Sequence, residues 1–193
     1  MEQQLRNRRK MNKVIIKLVQ GAELAYFQTH AMQKAKLMCD IDLGEHPFTP
    51  ISNVVEFDGC GHTIRGLNAV GKAYVGLFQA ISSNCEIKNL TIENAVVKAS
   101  NDDARVGILV GDVYDSLTVE NCYVSGTIET TDGTNKIEAA GGLIGNVREK
   151  YSVEIQSCYA DAKIKGTTDK GFAGGLVGWT GGTTTIDNSY AVV

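Results

Sequence analysis

Residues 140–145 read Ala-Gly-Gly-Leu-Ile-Gly, and residues 173–178 read Ala-Gly-Gly-Leu-Val-Gly. Two looser versions precede them: Tyr-Val-Gly-Leu-Phe-Gln at 74–79 and Val-Gly-Ile-Leu-Val-Gly at 106–111. Their last residues are 32, 34 and 33 positions apart. A second block follows each one in step, at 85–92, 117–124, 153–160 and 184–191, with spacings of 32, 36 and 31. Two independent blocks repeating together identify a repeat chain with a unit of about 33 residues.

Inside the second block apolar residues alternate with polar ones. Leu117 and Val119 point inward while Thr118 and Glu120 face water, and Val153 and Ile155 repeat this against Glu154 and Gln156. Asn121 then interrupts the strand, because Asn tolerates the left-handed backbone that a corner needs. Beyond it Cys122, Val124, Cys158 and Ala160 form a small apolar set, which leaves Tyr123, Tyr159 and Tyr190 facing outward. Residues 126–128 and 163–165 supply a third strand. One such turn cannot bury its inward face alone, but the next turn can pair with its edge and stack like on like. The expected fold is therefore all-β: a parallel β-helix of about four to five three-strand coils, right-handed by the usual preference of parallel crossovers. Insertions at 101–105 and 130–138 are expected to project as loops.

Composition agrees. Hydrophobic residues make up 43% of the 193 residues, but aromatics only 7%, with 21 Gly and 2 Pro; that balance favours many strands and turns over a helical bundle. No apolar run is long enough to span a membrane. Net charge is −3, yet residues 1–17 carry Arg6, Arg8, Arg9, Lys10, Lys13 and Lys17 against Glu2. The body is thus acidic and poorly suited to nucleic acid. The basic start reads as a solvated leader; Lys17 interrupts its apolar stretch too early for a secretion signal. Five Cys at 39, 60, 85, 122 and 158 form no CxxC or His/Cys cluster, so they read as small hydrophobes rather than a zinc site.

These blocks resemble the GLUG repeat family, named for a Gly-Leu-hydrophobic-Gly core that stands here at 142–145 and 175–178. Residues 57–67, Phe-Asp-Gly-Cys-Gly-His-Thr-Ile-Arg-Gly-Leu, resemble the first coil of such proteins, with Cys60 where the family tends to have Asn. The resemblance covers roughly residues 20–193. It implies a β-helix domain of large bacterial surface and secreted proteins, often adhesin-like, and hence an extracellular or cell-surface location.

The chain divides into a basic leader at 1–20 with a strand expected at 14–19, a helix at 21–35 and a solenoid at 36–193. The coils fall near 36–73, 74–104, 105–138, 139–171 and 172–193, the last incomplete. Leu24, Phe27 and Ala31 stand at helical spacing, and a helix there would cap the first coil. No comparable cap closes the other end, which leaves a coil edge open to self-association.

Candidate sites are few. Asp58 and His62 flank a Gly-rich turn, with Asp40 and Asp42 upstream. Such corner side chains are expected to cap turn amides rather than to run acid–base chemistry. No catalytic, cofactor-binding or metal-ligating residue is assigned, and no cofactor is expected. The tyrosines at 123, 159 and 190 form an outward ladder that could contact a glycan or a protein, or simply stack on itself. Strict alternation cannot bury both the Leu77, Leu109, Leu143, Leu176 row and the Phe78, Val110, Ile144, Val177 row. One apolar stripe is therefore expected to face out as a contact surface, unless a bulge or loop covers it. The leading expectation is a non-enzymatic scaffold segment of a surface or secreted protein, adhesive or spacing. The alternatives are a polysaccharide-binding or polysaccharide-degrading module, and a self-assembling filament subunit.

Overall fold

The computed structural model describes residues 15–18, 33–44, 46–52, 54–133 and 136–193. Every element among the described residues is a β-strand, and every pairing between them is parallel. The molecule is a parallel β-solenoid.

Each coil visits four faces in turn. The first face stacks Ile15–Leu18, Gln33–Leu37, Val54–Asp58, Cys85–Lys88, Leu117–Glu120, Ser152–Gln156 and Thr183–Asp187, seven rungs in one sheet. The second stacks Ile41–Asp42, Thr63–Arg65, Thr91–Ala99, Tyr123–Thr130, Tyr159–Ile164 and Tyr190–Val192. The third contains Tyr74–Val75, Ala104–Gly107, Ile137–Gly141 and Thr167–Gly174. The fourth contains Ile51–Ser52, Phe78–Ile81, Val110–Val113, Ile144–Val147 and Val177–Thr180, after which the chain returns to the first.

The alternation read from the sequence holds on the first face. Leu117, Val119, Val153 and Ile155 are buried, while Glu154 and Gln156 are exposed. Equivalent residues sit directly over one another: Cys85 over Leu117 over Val153 over Thr184. The corner between the first and second faces also repeats. Cys60, Asn89, Asn121, Ser157 and Asn188 each take a left-handed backbone, with φ between 47° and 53°. Asn is among the few non-glycine residues that adopt this region readily, which accounts for its recurrence.

The coil has four strands rather than the expected three, for two reasons. The second and third expected strands fuse into one, Tyr123–Thr130 and its equivalents. In compensation, the Gly-Leu strand breaks in two at a bend on 108–109, 142–143 and 175–176. That bend also overturns the expected outward apolar stripe. Alternation applies only along a continuous strand; across a corner, adjacent side chains can both enter the core from different faces. Leu77 and Phe78, Leu109 and Val110, and Leu143 and Ile144 are all fully buried. Leu176 and Val177, in the last coil, are half-buried. No contact surface exists at Phe78, Val110 or Ile144.

Two further expectations change. The helix at 21–35 fails at its C-terminal end, where Gln33–Leu37 is a strand paired with Val54–Asp58; the rest of that segment lies outside the described residues. The loop expected at 101–105 ends sooner, because Ala104–Gly107 pairs with both neighbouring coils and so places Arg105 on the third face.

Candidate functional site

Three outward features carry enough chemistry to be weighed. The first is the turn around residues 58–62. Asp58 accepts hydrogen bonds from the Cys60 amide at 2.9 Å and from Asn89 Nδ2 at 3.1 Å, and pairs with Lys36 at 3.3 Å. Burial opposes its charge, but these partners win and hold its carboxyl below the usual carboxylate range. Asp40 accepts from the Thr63 amide and from Arg65, with His62 Nδ1 at 3.4 Å. Asp58 thus caps the amide of its own turn, as expected, while Asp40 is fastened to the Thr63–Arg65 strand of the next coil. Among the described residues no group of three or more His, Cys, Asp or Glu side chains could hold a metal ion.

The second is the tyrosine ladder. Tyr123, Tyr159 and Tyr190 occupy one register position on the second face. Their rings stack with centroids 5.1 Å and 4.4 Å apart and interplanar angles of 24° and 30°. Burial of the alternate residues Val124 and Ala160 forces the rings outward. The middle ring, Tyr159, is covered on both sides and Tyr123 and Tyr190 on one each; Tyr190 is the most exposed, at 64%.

The third was not read from the sequence. A groove of about 660 Å³ opens against the third and fourth faces. On the third face one register row runs Tyr74, Arg105, Ala139, Phe172, and the last three of these line the groove. On the fourth the row runs Ala80, Asp112, Asn146, Trp179, and the last two line it. The two faces meet through glycines. A Cβ on Gly145 would lie 2.5 Å from the Val106 amide nitrogen and 2.6 Å from the Gly111 carbonyl oxygen, so only glycine allows this backbone approach.

At the base of the groove Asp112 is fully buried. It accepts from the Val113 amide at 2.9 Å, Asn146 Nδ2 at 2.7 Å and Arg148 Nε at 3.0 Å. Arg148 in turn donates to the hydroxyls of Tyr74 and Tyr114, at 2.9 and 2.5 Å, and its guanidinium carbon lies 4.0 Å from the centre of the Tyr114 ring. Burial opposes the charge of Arg148, but the Asp112 carboxylate overcomes it and raises the pKa further. The Tyr114 hydroxyl is pushed up by burial and by the Tyr74 hydroxyl, so it stays protonated. Arg105 pairs with Glu138 at 2.7 Å and approaches Asp112 at 4.0 Å. A buried charge is tolerated only when so fully partnered. Asp112 is therefore a counter-ion that locks Arg148 in place, with its acceptor positions taken up by protein donors.

Further along the groove Phe172 and Trp179 face each other from the two walls, centroids 6.3 Å apart and planes inclined at 47°. A signal for this site existed. The position after the second glycine of each Gly-Leu block reads Asp112, Asn146 and Trp179. Buried-strand positions flanked by apolar residues seldom vary so widely unless the row faces a different environment.

No family model matches the chain, and no solved structure matches it. It is similar to Halomucin from Haloquadratum walsbyi (strain DSM 16790 / HBSQ001), 36% identical over 108 residues. The match takes in 52% of this chain but spans just 1% of that far longer protein.

Proposed function

We propose that the chain is a non-enzymatic solenoid segment of a surface or secreted protein, acting as a spacer that also offers an adhesive face. The observation that carries this reading is the stack of the first face, seven parallel rungs that stay in register from Val54–Asp58 onward, with one register shift below it at Gln33/Lys34. Such a stack transmits load along the coil axis through backbone hydrogen bonds. The ladder of Tyr123, Tyr159 and Tyr190 supports the spacer role, since rings that cover one another stiffen the face they stand on. The partial likeness to a stretch of the very long Halomucin favours a segment within a larger chain, and the resemblance to GLUG repeats favours an extracellular one.

An antibody raised against the chain should label intact cells of the source organism; labelling only after lysis removes the surface assignment. Incubation with a panel of neutral and acidic polysaccharides should release no shortened product, and product release removes the non-enzymatic assignment.

A further inference from the structure

The groove on the third and fourth faces has features that stacking alone does not require. Its size is one. About 660 Å³ falls within the range of small-ligand sites, roughly 300–1,000 Å³. A protein partner would instead need a broad patch of about 800 Å².

Charge is the second. Arg148 is neutralised by Asp112, Arg105 by Glu138, and the rim adds Glu149 and Lys150 with opposite signs. The groove thus offers many hydrogen-bond donors and acceptors without net charge. Phosphorylated or acidic polymers are recognised by uncompensated cations, which this arrangement does not provide.

Shape is the third. Phe172 is 49% exposed and stands opposite Trp179 at an incline, making a short apolar cleft. The backbone beside Trp179 is cleared for it, because a Cβ on Gly181 would lie 2.5 Å from Trp179 Cη2. Beside the cleft the Arg148 side chain, 34% exposed, is held rigid by Asp112, Tyr74 and Tyr114. Rigid aromatic faces next to fixed polar groups reduce the entropy lost on binding.

We propose that this groove binds a short neutral oligosaccharide, with the C–H face of one sugar ring on Trp179 and Phe172 and its hydroxyls bonded to Arg148, Arg105 and Glu138. The site goes beyond the spacer reading and is independent of the tyrosine ladder, which lies on the second face.

Trp179 is the single tryptophan of the chain, so its fluorescence reports on this groove alone. The intact chain is titrated with neutral hexasaccharides (β-1,4-glucan, α-1,4-glucan, β-1,4-mannan and β-1,4-N-acetylglucosamine) and, in parallel, with an acidic oligogalacturonate. At least one neutral hexamer should give a saturable emission change, with an affinity equal at about 50 and about 500 mM salt. By calorimetry, Trp179→Ala and Phe172→Ala should each weaken that binding about tenfold or more. Tyr190→Ala should leave it unchanged. Trp179→Leu retains apolar volume and serves in place of the alanine variant should that one unfold. Three results overturn the proposal: no response to any neutral hexamer in emission or heat, tighter and salt-sensitive binding of the oligogalacturonate, or full affinity in both Trp179 variants. Shortening of a bound hexamer, read by mass spectrometry, supports the site while removing the non-enzymatic reading of the chain.

Discussion

The corner between the first and second faces and the corner between the third and fourth are built on opposite plans. At the first, each coil contributes nearly the same residue: Asn89, Asn121, Ser157 and Asn188 in one left-handed conformation, with Tyr123, Tyr159 and Tyr190 stacked two positions on. At the other, the glycines repeat but the side chains beside them do not: the third-face row reads Tyr74, Arg105, Ala139, Phe172 and the fourth-face row Ala80, Asp112, Asn146, Trp179. Repetition of side chains makes a uniform surface whose groups satisfy one another. A fixed backbone carrying different side chains on successive coils makes a local site. The scaffold lies in what repeats, and the recognition chemistry in what varies.

The comparison breaks most visibly at the glycines of the second plan. Gly145→Val would push a side chain into the Val106 and Gly111 backbones, and should cost about 3–5 kcal/mol, the range of severe overpacking and lost pairing. Gly133→Ala is the control. Its φ is +72° but no atom lies within 4 Å of the added Cβ, so backbone strain of about 1 kcal/mol is all it should show. Urea melts of the two variants check this: equal midpoints would mean that the close approach of the third and fourth faces contributes nothing.

Next in size is Asp112→Ala. Removing one partner of a buried pair costs about 3–5 kcal/mol, but Arg148 reaches water with a third of its side chain, so a smaller loss of roughly 2–3 kcal/mol is expected. Asp112→Asn keeps the shape and an acceptor and should lose less. Thermal unfolding of the three proteins ranks them. Wild-type stability in Asp112→Ala would show that the Arg148 network does not depend on its counter-ion.

Acid should act on the regular corner. Asp58 titrates below its ordinary 3.8 in the folded chain, because Asn89, the Cys60 amide and Lys36 outweigh the opposing effect of burial. A depressed carboxylate stabilises the fold above its unfolded pKa, and that contribution disappears as pH falls through the lower folded value. Stability should therefore decline below about pH 4. Asp58→Asn should be less stable at neutral pH, by about 1–2 kcal/mol for the charge-assisted hydrogen bonds lost, and flatter from pH 5 down to pH 3. Parallel pH profiles for both proteins would assign the acid response to other groups.

How much of this was readable beforehand follows from the same contrast. The solenoid follows from two blocks that repeat in step, the corner at Asn121 from the backbone that Asn tolerates, and the burial of Leu117 and Val119 with the outward tyrosines from period-two alternation. The burial of Ile144 beside Leu143 did not follow, because nothing local says that a Gly-Leu pair bends instead of continuing a strand. The groove was hidden for a related reason. Asp112 and Arg105 are separated by a sharp corner, and only the register of two adjacent coils brings Asp112 together with Asn146 and Arg148. Repeat alignment does reveal such a site when the odd positions are compared rather than the shared ones.

The smallest effect sharpens the regular corner instead of breaking it. Ser157 occupies a left-handed position, φ 53°, between coils that use Asn at the equivalent place. Asn121 Nδ2 already donates to Asn89 Oδ1 at 3.3 Å, and Asn89 Nδ2 to Asp58 at 3.1 Å, so a column of side-chain amides runs up the corner and stops at Ser157. Asn tolerates this backbone better than Ser, whose Cβ meets the following carbonyl without a matching local hydrogen bond. Ser157→Asn should extend the column by one rung and add about 0.5 kcal/mol, with a melting temperature higher by about 1–2 °C at this chain length. A lower melting temperature would mean that the corner is held by the backbone bonds of Asn121 to Gln156 and Ser157 to Asp187 alone, and that the recurrence of Asn there reflects conformational tolerance without a side-chain column.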